Sequence, residues 1–190
     1  MTTLFEKVEA LERALRAAHV PHAFGGALAL AYHVANPRAT IDIDLNCFVP
    51  AKNARAVFEA LPREVEWTDD DVRLVAREGQ VRVFWDRTAI DLFFTNHPFH
   101  ELAAANTETV PFSDDTIPVL GANELAVFKA FFNRGQDWVD IETMVDTGTV
   151  DLHWVIGWIV DLLGSDDERV PRLQALLHRP PPGPEPRFPR

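Results

Sequence analysis

Two aspartates interrupt an otherwise apolar stretch, "TIDIDLNCFV", residues 40–49. No other feature constrains the chain as much. The branched residues around them read as a β-strand. Side chains two apart on a strand leave by the same face, so Asp42 and Asp44 point together while Ile41, Ile43 and Leu45 face a core. Aspartate disfavours strands, and adjacent carboxylates both stay ionised only if a cation lies between them. Mg²⁺ suits that need, because it takes hard oxygen ligands and shares them with substrate phosphates. The plainer alternative is an Asp-x-Asp that merely ends a strand or caps a turn.

Asp91, in "AIDLFF", is the candidate third carboxylate: one acid in an apolar strand. Beside the pair it would complete a site for two metal ions, about 4 Å apart, that clamp the attacking and leaving oxygens of an in-line phosphoryl displacement. Its structural alternative is an ion pair with Arg82 or Arg87.

Upstream, Gly25 and Gly26 separate a short strand, "PHAF", from a helix, "ALALAYHVA", that stops near Asn36-Pro37. Glycine lets the backbone approach a ligand and take positive φ. The helix start offers free N–H groups and partial positive charge, which favour phosphate. An ordinary tight turn is the other explanation.

The remaining pattern is α+β. Leu4, Val8, Leu11 and Leu15 predict an amphipathic helix over 3–18. "KNARAVFEAL" predicts a short helix. "EVEW", "VRLVA", "VRVFW" and "AIDLFF" predict a β-meander, with a tight hairpin at "EGQ". From Asn123 on, four segments read as helices. In the first, Leu125, Phe128, Phe131 and Phe132 form the buried stripe, with Lys129 and Asn133 on another face. In the second, Asp137 reads as an N-cap with Asp140 at N3. Trp154, Trp158, Ile159 and Leu162 read as core. The expectation is a mixed sheet with flanking helices over 1–120, a helical subdomain over 121–178, and a disordered proline-rich tail over 179–190.

A net charge of -11 argues against binding nucleic acid over the whole surface. A local basic face would have to come from Arg55, Arg63, Arg73, Arg77, Arg82 and Arg87. Cys47 is the sole cysteine, so an internal disulfide is excluded and a cytoplasmic location is expected. No apolar run is long enough to span a bilayer. His97 and His100 have a metal-like spacing but too few companions for zinc and read as a loop.

Gly-Gly at a helix start, then Asp-x-Asp on the next strand, resembles the nucleotidyltransferase superfamily, the DNA polymerase β-like fold. The run "FGGALALAYHVANPRATIDIDL" is similar to the AbiEii and MenT toxins and their relatives. In these, Gly-Gly-x-Ala-Leu precedes Arg-x-Thr-x-Asp-Ile-Asp-Leu, which Arg38 and Thr40 match. The branch also carries a lysine, an arginine and Asp-x-x-Asp in its helical half, matched here by Lys129, Arg134, Asp137 and Asp140.

The resemblance covers roughly residues 20–146. It implies a Mg²⁺-dependent transfer of a nucleoside monophosphate from an NTP such as ATP to an acceptor. Asp42, Asp44 and Asp91 would hold two Mg²⁺ ions, with Asp91 also activating the acceptor hydroxyl. Gly25, Gly26, Arg38, Thr40 and Arg134 would bind the nucleotide. Lys129 would neutralise the triphosphate, and Asp140 has either a chemical or a capping role. The expected acceptor is the tRNA 3′ end, with translation blocked and a cognate antitoxin as partner. The alternatives are transfer to a small molecule or protein side chain, and a degenerate, non-catalytic binding module.

Overall fold

The first helix, α1 (Leu4–Ala17), starts at a capping box in which Thr3 and Glu6 satisfy each other's backbone amides. It leads into β1 (His22–Phe24), α2 (Gly26–His33) and the aspartate strand β2 (Ile43–Pro50). After a single 3₁₀ turn come α3 (Ala54–Ala60), β3 (Val65–Glu66), α4 (Asp69–Glu78), β4 (Gln80–Trp85) and β5 (Thr88–Thr95). Then follow α5 (Phe99–Ala105) and the pair β6 (Glu108–Phe112) and β7 (Asp115–Val119). This computed structural model describes residues 2–179. It divides into two compact units, the first ending at Gly121 and the second beginning at Ala122.

In the first unit all seven strands form one sheet, in the order β3-β4-β5-β2-β1-β7-β6. β2 runs parallel to β5, and β1 parallel to β7; the remaining neighbours are antiparallel. The sheet is therefore mixed and accompanied by helices, as the sequence predicts. Phe24, Ile43, Leu45, Ile90, Leu92 and Phe94 are fully buried along its central strands. Each such side chain contributes about 1.5–3 kcal/mol.

Three expectations fail in this unit. "VRLVA" lies inside α4, which starts at a second capping box, Thr68 with Asp71, and carries Asp69, Asp70 and Asp71 in its first turn. Those acids complement the helix dipole, and local capping outweighs the β propensity of two valines. Gly79 in "EGQ" is consequently the left-handed C-cap of α4, at φ 73°, and no hairpin turn. The hairpin lies between β4 and β5, where Asp86 takes φ 53°. Ile41 precedes β2 and is 78% exposed, so it does not share the core with Ile43. α5, β6 and β7 had no counterpart in the sequence reading.

The second unit is helical: α6 (Ala122–Phe132), α7 (Gly135–Asp146), α8 (Leu152–Leu163) and α9 (Arg169–Leu176). α6 packs on α7 and α8, and α8 on α9. Here the predicted stripe holds only in part: Leu125 is buried, but Lys129 is only 4% exposed while Phe131 is 42% exposed. Two buried acids on the next helix explain it, because they hold the lysine inside. α7 also starts earlier than expected, at Gly135, so Asp137 occupies N3 and accepts from the Arg134 amide at 3.2 Å. Trp154 and Trp158 are half-buried and Ile159 is buried. The predicted tail, beyond residue 179, falls outside the described residues.

Candidate functional site

The site is built where β1 ends against the start of β2. The Gly25 amide donates to the Asp44 carbonyl at 2.9 Å, extending the β1–β2 ladder into the turn. Gly26 takes φ +53°, and a Cβ there would overlap the Asp44 carboxylate. A Cβ on Gly25 would come within 2.8 Å of the Asn46 amide nitrogen and 3.3 Å of Leu120. Gly26 is thus required by what lies beneath it, and a side chain at Gly25 would have to displace the Asn46 amide. The start of α2, whose first-turn amides have no intrahelical acceptor, stands over Asp44. That end of the helix carries partial positive charge.

Parallel pairing of β2 with β5 puts Asp44 and Asp91 at the same level on adjacent strands. Antiparallel pairing of β5 with β4 then sets Arg82 opposite Asp91. The guanidinium takes Asp91 in a fork, Nε to Oδ1 and Nη2 to Oδ2, both 2.7 Å. The same Nη2 lies 3.8 Å from Asp42. The Arg82 side chain is 50% exposed and that of Asp91 16% exposed. Hydrogen bonding to Asp91, opposed by partial burial and reinforced by the charges of Asp91, Asp42 and Asp44, raises the Arg82 pKa above its ordinary value. Thr40 fixes the approach to the strand: its hydroxyl accepts from the Asp42 amide and donates to the Asp42 carbonyl, each at 3.2 Å.

The first unit therefore brings together Gly25, Gly26, Thr40, Asp42, Asp44 and Asp91, with Arg38 exposed in the segment before them. Lys129, Arg134 and Asp140 belong to the second unit. There the Lys129 ammonium donates to Asp140 at 2.6 Å and lies 3.8 Å from Asp137. Gln136 donates to the other Asp140 oxygen at 3.0 Å. Arg134 Nε donates to Asp137 at 2.7 Å. Every one of these charges has an opposite partner.

Among the described residues, no three acid, histidine or cysteine side chains form a group able to hold a metal ion. Mg²⁺, however, is commonly bound by one or two carboxylates plus substrate phosphates and water. Asp42 and Asp44 offer that donor chemistry, and a cation already bridges Asp91 towards Asp42. The donor set fits a hard divalent ion.

Asn46 was missed in the sequence. Asp42 lies just before β2 rather than on it, and Asn46 follows Asp44 two residues along the strand, is only 4% exposed, and lies directly under Gly25. Its place as the third member of an i, i+2, i+4 series was a readable signal. Of the six arginines suggested for a basic face, four carry an acidic partner. Arg55 pairs with Asp69 and Arg77 with Glu78 at 2.7 and 2.6 Å, Arg73 pairs with Asp70, and Arg82 with Asp91.

No family model matches the chain, and no curated protein matches its sequence. Solved structures do, and they show the fold: it is similar to that of nucleotidyltransferase-like proteins. An antigenic nucleotidyltransferase-like protein from Paracoccidioides brasiliensis is 17% identical at a TM-score of 0.51, covering 90% of this chain and 91% of its own. The antibiotic-resistance factor ANT(2'')-Ia, in a solution structure, is 14% identical at a TM-score of 0.53, covering 93% and 91%.

Proposed function

We propose that this protein is a Mg²⁺-dependent nucleotidyltransferase that moves a nucleoside monophosphate from an NTP to an acceptor hydroxyl. The observation that carries this reading is the level pairing of Asp44 with Asp91 beside a glycine turn that only glycine fits. Asp42 and Asp44 would hold the metal, with Asp91 as the further ligand. When bound, Mg²⁺ would lower the pKa of the attacking hydroxyl and offset charge on the triphosphate.

The chain's own groups do the positioning. Gly25 and Gly26 let phosphate oxygens approach the backbone, and the first-turn amides of α2 donate to them. Thr40 holds the Asp42 backbone, and Arg38, exposed in the segment before it, would bind the nucleotide. As the acceptor oxygen bonds to the α-phosphorus, the bond to the β-phosphate oxygen breaks and pyrophosphate leaves. The hydroxyl proton passes to an Asp91 oxygen. Roles for Lys129, Arg134 and Asp140 towards the nucleotide rest on the sequence resemblance alone.

For the acceptor, the paired arginines and the charge of -11 favour a small molecule over a long polyanion. An antibiotic-resistance factor among the structural neighbours points the same way. The second reading, a toxin that modifies the tRNA 3′ end and is restrained by an antitoxin, is favoured by the Arg38, Thr40, Asp42, Asp44 run. Incubation with α-phosphate-labelled NTPs tests both. Label on hydroxylated small molecules supports the first acceptor, and label on tRNA the second. Growth arrest on expression, relieved by Asp42→Ala, also supports the toxin. Label on protein indicates side-chain modification, and no label with any acceptor indicates a non-catalytic module.

A further inference from the structure

Arg82 has no part in the proposed chemistry, yet it makes the tightest charge contact at the site. Both of its bonds to Asp91 are 2.7 Å, and they occupy both carboxylate oxygens. A second carboxylate, Asp42, lies 3.8 Å from the same Nη2. Strand register, with Arg82 directly opposite Asp91, aims the side chain there. We propose that Arg82 is a resident counter-ion for Asp91, which a divalent cation must displace before Asp91 can join the site. The inference rests on the metal-dependent reading above.

The physical reason is competition for the same lone pairs. A bidentate guanidinium takes the lone pair of each carboxylate oxygen on the side facing it, and a metal ion approaching from that side needs one of them. A fixed positive charge within 4 Å of two carboxylates also repels an incoming dication. Arg82 can yield, because half of its side chain is exposed and a long stem lets the head move into water. Metal binding and the Arg82–Asp91 fork then exclude one another. Without metal, the fork holds Asp91 neutralised.

Mn²⁺ titration of the full chain, followed by the electron paramagnetic resonance of the free ion, tests this without any turnover. Arg82→Gln should tighten Mn²⁺ binding at least tenfold, and Arg82→Lys, which keeps the charge but loses the fork, less. The gain should vanish when Asp91→Asn is added. A gain that persists with Asp91→Asn would reflect long-range charge alone and overturn the proposal. Unchanged affinity in Arg82→Gln, with the wild type binding, overturns it while leaving the transferase reading intact. No binding by any variant overturns both.

The wild type gives an independent check if a variant does not fold. The Arg82 Nε–H nuclear resonance should be hydrogen-bonded and slow to exchange without metal. It should lose that protection at saturating Mg²⁺. Retained protection at saturation contradicts displacement.

Discussion

At Gly26 the backbone and the Asp44 carboxylate compete for one volume, and only the missing Cβ resolves it. Gly26→Ala should therefore lose more than the penalty for a left-handed alanine, about 1–2 kcal/mol. Gly148 separates the two effects: it has φ +70° with nothing within 4 Å. Gly148→Ala should lose only the backbone part. Urea unfolding of both variants measures the difference, and equal losses would show that Asp44 is not held against the turn. The Gly-Gly and Asp-x-Asp signals were legible because both are local: one follows from φ, the other from strand alternation. The fork on Asp91 was visible only as one of two possible partners, Arg82 or Arg87. The choice depends on the β4–β5 register, which sequence alone leaves open.

Pairing between elements creates the buried polar groups that tie each unit together. In the second unit, α6 supplies Lys129 and α7 supplies Asp137 and Asp140, all nearly inaccessible. Removing one partner of such a pair costs about 3–5 kcal/mol, because the other charge is left buried. Lys129→Met should lose that amount by chemical denaturation. Adding Asp140→Leu should recover much of it; failure to recover would place the role of Lys129 outside this pair. Helical periodicity could not show this, since it places a lysine outside by default.

In the first unit, Glu12 of α1 accepts from His22 of β1 at 2.7 Å and from Arg16 at 2.7 Å. Burial pushes the Glu12 carboxyl up, but the His22 and Arg16 contacts outweigh it and hold it below the ordinary 4.5. A depressed carboxyl stabilises the fold above its unfolded pKa and loses that contribution as pH falls through its folded value. Stability should thus decline below about pH 4.5. Glu12→Gln should flatten that part of the acid limb, measured by thermal unfolding across pH. An unchanged acid limb would show that Glu12 titrates as it does in the unfolded chain. The error over α4 belongs to this scale too. Its capping acids, Asp69 to Asp71, are visible in the sequence, while Val72 and Val75 carry the β propensity that points the other way.

Across the whole molecule, the mixed sheet with its helices was legible because long apolar runs alternate with clear breakers. The edge pair β6–β7 was not: "ETVPF" and "DTIPV" each carry a proline, which demotes a strand reading. In the structure β6 is the edge strand, and β7 pairs with β1 only at Phe24–Val119, one residue past its own proline. Net charge operates at this scale as well. At -11, an acidic surface should weaken any long polyanion acceptor, and raising salt should strengthen it by screening. A small neutral or cationic acceptor should show no such gain.

The most direct test is transfer of label from an α-phosphate-labelled NTP by the wild-type chain with Mg²⁺, beside Asp44→Asn shown to be folded. The account predicts covalent label on an acceptor, dependent on the metal and abolished in the variant. A folded wild type that binds Mn²⁺ and NTP yet labels no small molecule, tRNA or protein, or a variant that labels as well as the wild type, would contradict it.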